Sequence, residues 1–179
     1  MSDERIGIYA GRGILPIKVA ESIVKLEKKV FFIGIKDLTN KNIEKFPHKW
    51  MRFGQIGLAM KTLRENNCTK LVIIGGANIP NFFFLFPDFT GLKLFYSLFK
   101  VRKKGDAKII KIIIGYIENE INIKIVGADM FLEDILMTNG ALTKSKINDS
   151  NYKDIDLAVK TCKKIGNDDL GQACIVSNG

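Results

Sequence analysis

Two uninterrupted apolar runs constrain this chain more than any other feature. Val30-Phe31-Phe32-Ile33-Gly34-Ile35 and Leu71-Val72-Ile73-Ile74 show no alternation of apolar and polar residues. A strand written that way needs both faces covered, which is the condition of a parallel sheet between layers of helices. The intervening segments agree. Residues 5–10 predict a further strand. Residues 16–28 predict a helix, with Val19, Ile23 and Leu26 at helical spacing and Ile17, Ala20 and Val24 widening the same face. Residues 50–53 predict a short strand, 57–64 a helix, 107–121 a helix, 123–126 a strand and 128–136 a helix. Strands alternating with helices predict an α/β fold: a parallel sheet with helices on both faces.

The ends of the first and fourth strands carry the chemistry. Ala10-Gly11-Arg12-Gly13-Ile14-Leu15-Pro16 places two glycines and a proline between a strand and a helix. Glycine lets backbone come close to a phosphate, and Pro16 pre-sets the first helical turn. The helix start would then aim unpaired N–H groups and the positive dipole end at one spot. Gly75-Gly76-Ala77-Asn78 ends the other run. In parallel sheets ligands bind beyond the carboxyl ends of the strands. The competing reading is a plain strand–turn–helix corner that binds nothing.

Composition excludes several classes. The only histidine is His48, so a histidine pair or an all-histidine metal site is ruled out. Cys68, Cys162 and Cys174 are scattered and odd in number, and they read as small hydrophobes rather than a disulfide framework. The net charge of +9 suits an anionic partner, but only five of the 28 basic residues are arginines. Phosphate and base clamps favour arginine, so the lysines read as solvated surface and nucleic acid is not expected as a partner. The acidic start, Met1-Ser2-Asp3-Glu4-Arg5, is no signal peptide, and no run reaches the ~20 apolar residues of a membrane helix. The expectation is a cytoplasmic protein. Residues 80–89, rich in phenylalanine and followed by Lys100, Arg102, Lys103 and Lys104, read either as a core segment or as a patch meeting the lipid interface.

After Met137 the chain turns polar, which predicts a linker over 137–152 after a first domain of 1–136. A helix over 153–164 and a strand over 173–176 would begin a partial second α/β domain at 153–179. Ser177-Asn178-Gly179 is a hairpin turn signal with no returning strand, so the architecture is expected to continue beyond it.

Several separated segments together resemble one family, the metal-dependent UDP-2,3-diacylglucosamine diphosphatases of lipid A synthesis, the two-domain type of alphaproteobacteria. They are Ala10 to Pro16, Phe46-Pro47-His48, Pro87-Asp88, Gly105-Asp106, Val126-Gly127-Ala128, Gly140-Ala141-Leu142-Thr143, Asp154-Ile155 and Asp169-Leu170-Gly171-Gln172-Ala173. The resemblance implies a Rossmann-like N-terminal domain, a linker and a C-terminal domain, with substrate between the domains. It also implies hydrolysis of the substrate pyrophosphate to UMP and 2,3-diacylglucosamine 1-phosphate, assisted by Mg²⁺. Peripheral contact with the inner membrane and a homo-oligomer are compatible with it. The sequence departs from the family pattern at Ala107, where an Asp or Asn is usual, and at Asn78 and Ile79, where basic residues are usual. The acidic motif of the family's C-terminal domain would lie beyond Gly179, so this chain alone is expected to be inactive.

On this reading Gly11, Arg12, Gly13, Gly76 and Asn78 form the substrate groove, with Gln172 reaching in from the second domain. Asp106, Asp168 and Asp169 are the candidate metal ligands. Each also reads as structural, Asp106 as a helix cap and the other two as a turn. Two other classes remain open: a non-catalytic nucleotide-binding module, and a dehydrogenase fragment in which Asp37 would hold a ribose.

Overall fold

The computed structural model describes residues 4–77, 86–101, 106–132, 144, 147–168, 170, 171, 173–177 and 179. Five strands form one parallel sheet: β1 Arg5–Ala10, β2 Lys29–Ile35, β3 His48–Met51, β4 Cys68–Ile74 and β5 Lys124–Ile125. Their order across the sheet is β3-β2-β1-β4-β5. The helices are α1 Leu15–Lys25, α2 Ile56–Glu65, α3 Phe89–Val101, α4 Asp106–Ile121 and α5 Asp149–Asn167.

The pleat explains why the β2 run carries no polar residue. Val30 and Phe32 point to one face and pack with Ile17, Val19, Ala20 and Ile23 of α1 and with Ile43 of the 3-10 turn Lys41–Lys45. Phe31, Ile33 and Ile35 point to the other and pack with Ala59, Met60 and Leu63 of α2 and Ile117 and Ile121 of α4. Side chains alternate along a strand, so one apolar run supplies two cores. Ile6, Ile8 and Ala10 of β1 and Val72 of β4 complete the α1 side, and Leu71 joins the other. The expected parallel sheet with helices on both faces is the observed fold.

The opposite end of the sheet, away from the glycine corners, is held by charge. Glu4 accepts from Lys28 at 2.7 Å and Lys70 at 2.8 Å, linking the start of β1 to the α1–β2 turn and to β4. Those two hydrogen-bonded ammonium groups, Lys28 first, hold the Glu4 carboxyl below the usual glutamate range.

Three expectations change. The helix expected over 128–136 is, in its described part, a 3-10 turn Ala128–Phe131. That turn suffices to seat Phe131 and Leu132 in the α1-side core. The strand expected over 173–176 is not formed, and Ile175 is 99% exposed. A ladder needs a neighbouring edge to take its N–H and C=O groups, and among the described residues none lies beside it. The expected 153–164 helix starts earlier, at Asp149, where the Asn151 side chain accepts from Asn148 N at 3.0 Å. The cysteines are also less scattered than the sequence reads: Cys162 Sγ and Cys174 Sγ lie 3.1 Å apart. Cys68 is buried at the start of β4, and burial pushes its thiol up to about 11.

Candidate functional site

The strand order sets where a site belongs. From β1 the chain runs outward through α1 to β2 and β3 on one side. It then crosses by α2 on the other face to β4 and continues through α3 and α4 to β5. The direction of winding therefore reverses between β1 and β4. At such a reversal successive connections leave on opposite faces of the sheet, and a crevice opens at the carboxyl ends. Both glycine corners stand there.

The two corners meet. Strands β1 and β4 stay paired up to Ala10 and Ile74. Gly11 N then donates to Ile74 O at 2.8 Å, Arg12 N to Gly76 O at 2.7 Å and Gly76 N to Arg12 O at 3.0 Å. This closes a small antiparallel bridge across two parallel strands. Gly11 is buried beneath it. A Cβ there would lie 2.6 Å from Gly76 O and 2.8 Å from Gly75 C, both backbone atoms that cannot swing aside. Gly75 has φ +109 and the reciprocal restriction against Gly11. Gly11 therefore has a structural role at this corner. Its missing side chain admits the neighbouring chain, and its amide is already used.

The open donors lie one step further on. Arg12 and Gly13 are exposed, Gly13 at φ +103. Ile17 N and Lys18 N both turn back to Ile14 O, at 3.0 and 3.2 Å. Pro16 has no N–H, and no side chain caps the helix. Among the described residues no hydrogen bond uses the amides of Gly13, Ile14 or Leu15. These sit at the positive end of α1, whose first turn carries no acidic residue to neutralise it. Unpaired amides, helix dipole and the Arg12 guanidinium all favour an anion.

Residues the sequence reading missed hold this corner in place. The Thr39 hydroxyl accepts from Ile35 N at 2.8 Å and donates to Ala10 O at 2.5 Å, pinning the tip of β1 to β2. Its signal was weak: one threonine two residues after Asp37 in a polar stretch. The Asp88 carboxylate caps two helices at once, Oδ2 accepting from Leu58 N of α2 at 2.9 Å and Oδ1 from Gly91 N of α3 at 2.8 Å. Asp37 is exposed in a left-handed turn at φ 64. His48 Nδ1 donates to Phe46 O at 2.9 Å on the edge strand β3.

Beneath the crevice, on the α2–α4 side of the sheet, lies a cavity of about 270 Å³. Tyr9, Ile73, Ala59, Leu94, Ile113 and Ile117 are among its walls, and Gly11, Gly75 and Ala77 line it at the crevice end. Its lining is almost wholly apolar. The Tyr9 hydroxyl donates to Phe53 O at 3.3 Å, and burial, reinforced by the Asp88 charge, raises its pKa. Ile73 faces this covered side yet is 44% exposed, because it opens onto the cavity.

Among the described residues no set of ligands for Mg²⁺ is formed. That ion takes oxygen ligands in a near-octahedral set, and the corner offers amide donors and a guanidinium instead. Among the described residues no three histidine, cysteine, aspartate or glutamate groups converge. Asp168 is exposed at the C-terminal end of α5. Asp169, Gln172, Asn78 and the side chain of Asp106 lie outside the described residues. No helix among the described residues is long and apolar enough to cross a membrane.

This geometry is accompanied by a match to known proteins. The chain is 27% identical over 175 residues to the UDP-2,3-diacylglucosamine pyrophosphatase LpxI of Caulobacter vibrioides. The match covers 98% of this chain and 62% of that relative, so the chain spans less than two thirds of its length. A family model described as the LpxI N-terminal domain matches residues 5–135, from the first residue of β1 past the last residues of the α1-side core. The sheet, both glycine corners and the cavity all fall inside that match, and the chain belongs to the LpxI N-terminal domain family.

Proposed function

We propose that this chain supplies the nucleotide-diphosphate-binding part of a hydrolase acting on UDP-2,3-diacylglucosamine in lipid A synthesis. The products would be UMP and 2,3-diacylglucosamine 1-phosphate. The observation that carries the reading is the coincidence of family membership over residues 5–135 with three amides at the β1/β4 reversal point that no hydrogen bond uses among the described residues. In this reading the amides of Gly13, Ile14 and Leu15 bind non-bridging oxygens of the diphosphate, and Arg12 supplies positive charge at the rim. The bridge between Arg12 and Gly76 holds those donors still, which is the preorganisation that charge stabilisation needs. Asn78 and Gln172 extend the groove, and residues from 153 begin a second domain that closes it.

Hydrolysis also needs a positioned water and a group to hold its proton. Among the described residues no cluster of carboxylates serves that task, and we assign this part of the molecule the binding of the diphosphate. Exposed Phe89, Leu92 and Tyr96 on α3, at helical spacing with Lys93 among them, support contact with the lipid interface from which the substrate comes.

Calorimetric titration of the 179-residue chain with UMP and a UDP-sugar tests the reading. Both ligands are expected to bind, Arg12→Ala to weaken them at least about tenfold, in line with one lost charge-assisted hydrogen bond, and turnover of the lipid substrate to be undetectable. An unchanged affinity removes Arg12 from the site. Turnover near that of a longer relative contradicts the division of labour.

A further inference from the structure

We infer that Cys162 and Cys174 form a thiol–disulfide site that exchanges with small disulfides of the glutathione type and, when oxidised, fastens residues 173–177 to α5. Their sulfurs lie 3.1 Å apart as free thiols. The fold of the chain around them builds that contact. Leu170 N donates to Ile165 O at 2.9 Å, reversing the chain just past the helix. The residues that follow run back along α5. The Cys174 thiol lies 3.5 Å from Ala158 O, and Gly179 N donates to the Asp154 carboxylate at 3.0 Å. Asp154, Ala158, Cys162 and Ile165 are spaced four, four and three residues apart and all are half-buried, so they form the stripe of α5 that the returning segment covers.

Cys68 shows what a cysteine used only as a small hydrophobe looks like: it is buried in the core beside Leu63 and Leu71, and burial pushes its thiol up. Cys162 and Cys174 are half-buried at the surface instead, where a small disulfide can reach them. One thiolate attacks glutathione disulfide, forms a mixed disulfide and releases one glutathione. The second thiol, already in contact, displaces the other glutathione. The two thiols give up two electrons and two protons, and glutathione disulfide takes both pairs to become two glutathione molecules. Residues 173–177 join no strand ladder among the described residues, so a covalent link is what would hold them on the helix. Solvent-accessible disulfides are the labile, regulatory kind, and this one converts thiol redox poise into order or looseness beyond α5. The site lies outside the family match over residues 5–135 and is independent of the anion reading of the β1/β4 corner.

Equilibration of the intact 179-residue chain in mixtures of reduced and oxidised glutathione, followed by acid quenching, alkylation and peptide mapping, tests this. The expected product is one link within the chain between the Cys162 and Cys174 peptides, with Cys68 left as a thiol. The effective concentration of the pair is expected to stand at least about tenfold above the millimolar level that a short flexible linker provides, because the sulfurs are held together before oxidation. Amide hydrogen exchange over residues 173–177 is expected to slow at least about tenfold in the oxidised chain, since the link restricts opening of the loop it closes. Cys174→Ser is expected to keep one glutathione on Cys162 and to lose the slowing. Stable glutathione adducts on both cysteines of the wild-type chain overturn the inference. Links between two chains overturn it too, as does an effective concentration in the millimolar range. A link that forms without slowing exchange overturns the fastening of residues 173–177.

Discussion

Gly11 is the residue on which the corner turns. Its lack of a side chain admits Gly75 and Gly76, and those contacts fix the bridge that holds Arg12. Gly11→Ala is expected to cost about 2–3 kcal/mol, the usual range for forcing atoms into a packed space, and to weaken UMP binding as the bridge opens. Denaturant unfolding and titration of the same variant check both effects. Asp88 shows how one motif residue serves structure instead of chemistry. It sits between α2 and α3 and caps both. Replacing a cap costs about 1 kcal/mol per helix, so Asp88→Ala is expected to lose about 2 kcal/mol in denaturant unfolding while UMP affinity stays as it was.

At the scale of elements, the sequence was legible where periodicity had one physical reading. The β2 run could only be a strand covered on both sides, and α1 could only turn its Val19–Ile23 face inward. Legibility failed where an element depends on a partner. Residues 173–176 have strand composition, yet composition alone does not supply an edge. The 128–136 segment reads helical, yet a single turn at 128–131 already delivers Phe131 to the core. That the two glycine corners stand at neighbouring strand ends was legible, because each directly follows an apolar run. The division of their glycines was not: both Gly11 and Gly13 read as close-approach residues, and only the fold decides which one faces chain and which faces solvent. The Glu4 clasp is another property of elements, since it joins the starts of β1 and β4 to the turn before β2. The folded protein holds the Glu4 proton less tightly than the unfolded chain does. Its contribution is therefore present above the ordinary glutamate value of 4.5 and is lost as pH falls through the lower folded value. Glu4→Gln is expected to lower stability by about 0.5–1 kcal/mol at pH 7, in keeping with partly exposed ion pairs. The difference from wild type should shrink below pH 4.5 in a series of melting curves.

At the scale of the molecule, one topological fact organises the rest. The reversal between β1 and β4 gathers a positive helix end, an arginine and three amides unused among the described residues above an apolar cavity. Of the acids that the sequence offered as metal ligands, Asp169 and the Asp106 side chain lie outside the described residues, and we assign anion binding to this corner. Two-dimensional amide NMR of the 179-residue chain during UMP titration tests that claim most directly. The largest shifts are expected at Arg12, Gly13, Ile14 and Leu15, with smaller ones at Gly75 to Ala77. Shifts confined to other elements, with these amides unmoved at saturation, would contradict it.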